Sequence, residues 1–248
     1  MSNIISIHSY RGGTGKSNIT ANLAALTVAL GKRAAIVDTD IQSPGIHVLF
    51  GLDESRIKYT LNDYLWGTCP IEEAAYEVAA DQVGPGLYLV PSSLKTSSIT
   101  RILREGYDVE RLNDGFRAIT GALNLDCLFI DTHPGLNSET LMSIAISDVL
   151  VVLLRPDQQD YQGTAVTIEV ARRLHVPQLY VVVNKVLTSY DFDAVSREMS
   201  TTYNAPVLGV LPQCDEMMDL SSAALFVTRY PDHPLTRSLR QIAETVSG

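Results

Sequence analysis

Seven short runs of this chain are almost continuously apolar: "IISIHS", "RAAIVDTD", "GLYLVPSS", "LDCLFIDTHP", "DVLVVLLRPD", "QLYVVVNKV" and "APVLGVLP". Runs rich in Val, Ile and Leu that do not alternate with polar residues read as strands covered on both faces. Between them lie segments whose apolar positions recur every three or four residues, such as Ser17 to Leu30, closed by Gly31, and Tyr161 to Leu174. Strand then helix, repeated, predicts an α/β fold: a doubly wound, mostly parallel sheet with helices on both faces. No Pro-, Gly- or Ser-rich linker divides the chain, so a single domain over residues 1–248 is expected.

Ligands of such sheets sit beyond the carboxyl ends of the strands. Arg11 to Ser17, Asp38, Asp40, Asp131, Arg155 and Asn184 all fall at those predicted ends. The first group, "RGGTGKS", follows one apolar run and opens a helical pattern. Gly12, Gly13 and Gly15 let successive backbone N–H groups approach phosphate oxygens at the positive end of a helix. Lys16 is placed to reach β- and γ-phosphates, and the Ser17 hydroxyl to join a Mg²⁺ shell. The spelling departs from G-x-x-x-x-G-K-[ST], because Tyr10 stands where the first glycine belongs and Arg11 follows it. Carboxylates at strand ends facing such a loop can hold Mg²⁺ or orient water, which makes Asp38, Asp40 and Asp131 candidates.

Taken together, these motifs resemble the MinD/ParA family of deviant Walker A ATPases, over essentially the whole chain. The family's K-G-G-x-G-K-[ST] loop is matched by Arg11 to Ser17, its D-x-D by Asp38 and Asp40 with "IQSPG" as first switch, and its second switch by "DTHPG", Asp131 to Gly135. "VVNK" and "GVLP" resemble its adenine-side segments. The resemblance implies a P-loop NTPase fold of Rossmann-like type and a slow, partner-stimulated ATPase using ATP and Mg²⁺. It implies nucleotide contacts from Gly12, Gly13, Thr14, Gly15, Lys16, Ser17, Asn18, Asn184 and Pro212. It also implies metal ligation by Ser17, Asp38 and Asp131, and catalytic roles for Lys16, Asp40 and Arg11. In this family the loop's first lysine crosses to the partner's nucleotide in an ATP-sandwiched homodimer. Arg11 occupies that position, keeps the charge and adds a planar fork that can contact two oxygens. Arg155 in "LLRPDQQD" is a second candidate for the cross-dimer charge, its alternative being a local ion pair with Asp157 or Asp160.

Relatives with cluster-binding cysteines or a C-x-x-C are excluded by the spacing of Cys69, Cys127 and Cys214, which read as buried, reduced thiols. A tyrosine-rich tail is also absent, since the last tyrosine is Tyr230. Two competing functions remain: an ATP-dependent ligase or synthetase of the same superfamily, and a nucleotide switch that hardly hydrolyses. Net charge changes the picture of partners. At −9, with five lysines and only modest arginine pairs (Arg172 with Arg173, Arg101 with Arg104), a nonspecific DNA surface finds thin support. A membrane surface finds little more: Leu235, Leu239, Ile242 and Val246 share a helical face, but Arg237 and Arg240 are its only cations and no aromatic accompanies them, so packing on the domain is expected. An unidentified activating or adaptor protein is implied by the resemblance alone. Without a leader-like start or a long apolar segment, a soluble, cytoplasmic protein is expected, peripheral at most on nucleoid or membrane.

Overall fold

The computed structural model describes residues 2–248. The seven apolar runs become β1 (Asn3–His8), β2 (Ala34–Asp38), β4 (Leu87–Val90), β5 (Cys127–Asp131), β6 (Val149–Leu154), β7 (Gln178–Val186) and β8 (Val207–Pro212). An eighth strand, β3 (Tyr76–Glu77), was not expected: its two residues are too few to show a pattern. All eight form one sheet in the order β3-β4-β2-β5-β1-β6-β7-β8. Only β3 runs antiparallel, pairing Tyr76 with Leu89 at the edge. The fold is thus the doubly wound, mostly parallel α/β architecture that the pattern predicts.

Covering both faces explains why the strands read as unbroken apolar runs. Ile5, Ile7, Ile36, Phe129 and Val151 point to one face, and Ala35, Val37, Leu128 and Ile130 to the other. The first face is closed by α1 (Lys16–Ala29) and, outside it, the helix Pro234–Ser247. Sandwiched between sheet and helix, α1 is buried on nearly every side, its polar Thr20, Asn22 and Thr27 included. Leu235, Leu239, Ile242 and Val246 are each at most 2% exposed, so the C-terminal helix spends its apolar face on the domain. On the opposite face, Leu112 and Phe116 of the helix Val109–Ala122 cover β2 and β5. Ile168 and Ala171 of the helix Gln158–Arg173 cover β6 and β7. Cys69, Cys127 and Cys214 are buried free thiols. Among the described residues, no helix is long and apolar enough to cross a membrane.

Candidate functional site

The loop between β1 and α1 sits at the carboxyl edge of the sheet, where β2, β5 and β7 also end. Gly13 and Gly15 take φ of +80° and +93°, values open to glycine and costly for other residues. Gly15 carries a second constraint, since a Cβ there would stand 2.7 Å from Asn184 Nδ2. That amide nitrogen donates to the Thr14 carbonyl at 2.8 Å, and Lys185 Nζ donates to the Gly13 carbonyl at 2.9 Å. Both props come from an irregularity in β7, where the register with β8 shifts between Val183 and Val186 and Lys185 adopts a φ of +59°. A bulge re-aims side chains in this way. The role of Lys185 left no signal in the sequence beyond its place in "VVNK".

Beneath the loop lie two side-by-side carboxylates, because Asp38 and Asp131 are register partners on adjacent parallel strands. Each is 1% exposed. Lys16 Nζ donates to Asp131 Oδ1 at 2.7 Å, and the Thr20 hydroxyl donates to the same oxygen at 3.3 Å. Asp38 Oδ1 accepts the Asp40 backbone N–H at 3.1 Å, whereas Asp38 Oδ2 is buried with no partner. Burial first, and the Asp131 charge second, raise the Asp38 pKa well above the ordinary carboxylate range. His8, fully buried at the end of β1 and bonded to the Thr132 hydroxyl at 2.8 Å, is held neutral: burial and nearby Lys16 lower it to about 3.

Asp40 and Ser17 lie at the rim of the cleft above this pair, together with Gly12 to Lys16 and Asn18. Asp40 Oδ1 is 2.6 Å from His133 Nδ1, a contact between two strand ends that no spacing in the sequence announced. On the far side of the loop a cleft of about 320 Å³ is lined by Gly15, Asn18, Asn184, Lys185, Pro212 and Gln213, among others. Asn18 Nδ2 reaches across its base to the Ser222 hydroxyl at 3.3 Å.

The two arginines at the edge of the site are both engaged by one segment. Arg155 donates from its backbone N, its Nε and its Nη2 to Asp160, at 3.1, 3.0 and 3.3 Å. Arg11 Nη1 lies 3.5 Å from Asp157 and 3.8 Å from Asp160. Tyr10 fixes the base of this arrangement. Its ring rests on the helix Gln158–Arg173 so closely that a Cβ on Gly163 would fall 1.9 Å from Tyr10 Cδ1.

The donor set suits a magnesium nucleotide. A glycine-rich turn at a helix N-terminus offers unhindered N–H groups to phosphates. Two adjacent buried carboxylates, one with an orphaned oxygen and together matched by one lysine, are short of positive charge, which a divalent cation would supply. The Ser17 hydroxyl with Asp38 and Asp131 would hold that ion, the loop and Lys16 the phosphates, and the cleft at Asn184 and Pro212 the base.

Strand order, loop and carboxylate pair define a P-loop nucleotide-binding protein. A family profile described as an AAA domain matches residues 2–188. An ATP-binding protein of Methanocaldococcus jannaschii is 30% identical over 98% of this chain and 87% of its own length. The septum site-determining protein MinD of Bacillus subtilis is 27% identical over 100% of the chain and 90% of its own. Among solved structures, MinD of Pyrococcus horikoshii complexed with Mg-ADP superposes with a TM-score of 0.84 at 22% identity, covering 99% of this chain and 96% of that one. The chain belongs to the MinD/ParA family of P-loop ATPases.

Proposed function

We propose that this chain is a nucleotide switch of the MinD/ParA type: one ATPase domain that binds ATP with Mg²⁺, pairs with a second copy around the nucleotide, and hydrolyses it slowly until an activating or adaptor protein intervenes. The observation that carries this reading is the buried Lys16–Asp131 pair beside the orphaned Asp38 oxygen, directly under the glycine loop. Such a cluster is costly while no ligand is bound: Asp38, its pKa raised by burial and by Asp131, either takes up a proton or stands as a buried charge without a cation. It becomes satisfied when a cation is added.

In this reading each residue has a task. The Gly12–Ser17 backbone and Lys16 bind and orient the phosphates; Asn184 and the cleft wall at Pro212 hold the base. Mg²⁺, when bound, neutralises phosphate charge that builds up during transfer. Asp40, lining the cleft, orients the attacking water. Arg11 leaves its two aspartate neighbours, exposed Asp157 and buried Asp160, to contact the partner copy's phosphates. The switch would position a cargo within the cytoplasm, on a surface of DNA, membrane or protein.

Phosphate release tests the enzyme half of this proposal. Purified protein with ATP and Mg²⁺ as sole substrates is expected to turn over, slowly, while Lys16→Ala does not. An absolute requirement for a small-molecule co-substrate would overturn the switch in favour of a ligase.

A further inference from the structure

We propose that His133 is a positioning residue for Asp40, locking the water-orienting carboxylate and coupling the two switch segments. The inference rests on the reading of Asp40 given above and deepens it. Asp40 follows β2 and His133 follows β5, so their 2.6 Å contact is a cross-link between the segment that begins "DIQSPG" and the segment "DTHPG". A carboxylate oxygen accepts, so in this contact His133 Nδ1 is assigned as the donor. Asp40 Oδ1 also accepts the Ser43 backbone N–H at 3.3 Å. Two donors therefore converge on Oδ1, and the carboxylate is fixed in rotation with Oδ2 left to act.

The division of roles follows from where each side chain looks. Asp40 lines the cleft above the loop, with Ser9, Gly12 to Asn18. His133 does not line it; it lines a small recess on the other side, with Thr39, Gln42, Tyr107 and Glu139. The imidazole thus lines a different recess from the carboxylate it contacts, and of the two groups Asp40 is the one that faces the cleft over the loop. A carboxylate free to rotate would sample several orientations, of which few place an oxygen for in-line attack. The same bond means that a displacement of either switch segment is felt by the other.

Three variants test this through steady-state hydrolysis and nucleotide calorimetry. His133→Ala is expected to lower kcat roughly tenfold to a hundredfold, while ATP affinity stays within about twofold. His133→Asn, whose Nδ2 can take the place of the imidazole Nδ1–H, is expected to recover most of that loss. In an Asp40→Asn background, His133→Ala should have no further effect on kcat, because the group it positions is gone. Equal loss in both backgrounds, no rescue by asparagine, or a fall in ATP affinity matching the fall in kcat would each overturn the proposal. A wild-type protein that binds ATP but shows no hydrolysis would instead overturn the ATPase reading itself, and this proposal with it; an active wild type with a fully active His133→Ala sinks only the positioning role.

Discussion

Lys16 and Arg11 are cations of the same short loop, and each is paired with aspartate, yet the two pairs differ in kind. Lys16 is 6% exposed and donates to an Asp131 that is 1% exposed, at 2.7 Å. Arg11 is 41% exposed and lies 3.5 Å from an Asp157 that is 48% exposed, and 3.8 Å from the buried Asp160. A pair in low dielectric is costly to break, because the survivor is a buried charge without a partner. A pair at the surface is screened and holds its members loosely. The fold therefore commits Lys16 to its site, while Arg11 is parked where it can leave at little cost. Tyr10, the residue before Arg11, packs its ring on Gly163 of the helix Gln158–Arg173.

The largest effect is expected where the comparison predicts commitment. Lys16→Ala removes the cation bonded to buried Asp131 and should lower the unfolding free energy by about 3–5 kcal/mol at neutral pH. It should also abolish ATP binding in calorimetry. Undiminished affinity would show that the loop's cation is elsewhere, with Lys185 the next residue to test.

Asp160 is the intermediate case, since it is 2% exposed but holds an Arg155 that is 30% exposed. Asp160→Ala loses the three bonds to Arg155 while leaving that guanidinium able to reach water, so denaturant titration should show a loss of about 1–3 kcal/mol. A loss as large as that of Lys16→Ala would mean that the two regions do not differ as described.

Asp38 sharpens the comparison by reversing its sign. Its folded pKa lies above its unfolded one, so its contribution is fully present below the ordinary carboxylate pKa and is lost as pH rises from there through the folded pKa. Asp38→Asn should therefore raise the Tm by a few degrees at neutral pH. The gain should shrink as pH falls below the raised pKa and vanish below the ordinary carboxylate pKa, where Asp38 is protonated in the folded and the unfolded chain alike. With ATP and Mg²⁺ present the ordering should invert if Asp38 ligates the metal as proposed, because the variant would then lack that ligand. A variant that is less stable at neutral pH without nucleotide would remove the argument for an unmet charge.

What was legible in the sequence divides along the same line. The seven parallel strands could be read because burial on both faces leaves continuous apolar runs, and the loop because its glycines are required by backbone approach. Asp38 and Asp131 were visible as strand ends. Their lateral pairing was not, since it depends on β2 and β5 being neighbours across 93 residues. His133 and Lys185 went unnoticed because one histidine and one lysine in a motif carry no spacing of their own. A local ion pair for Arg155 was readable from "RPDQQD", but the capture of Arg11 by the same segment, with Asp157 lying 146 residues on, arises only once β1 and β6 pair.

The smallest effect on stability should come from Arg11, and it decides the most. Arg11→Ala deletes a surface pair, and Asp160 keeps Arg155, so the unfolding free energy should change by no more than about 0.5 kcal/mol. Nucleotide affinity of the monomer should be nearly unchanged as well, because Lys16 and the backbone remain. If the guanidinium leaves Asp157 to bind the partner copy's phosphates, however, the wild type should dimerise with a non-hydrolysable ATP analogue and Mg²⁺ but not with ADP, and Arg11→Ala should stay monomeric in light scattering. Arg11→Lys keeps the charge and should restore the dimer, with weaker binding if the two-pronged contact matters. Asp157→Asn should favour the dimer slightly, since the cis tether competes with the trans contact. An ATP-dependent dimer of Arg11→Ala would show that the exposed pair is only a pair, and would pass the cross-subunit role to Arg155, whose release from Asp160 carries the greater cost.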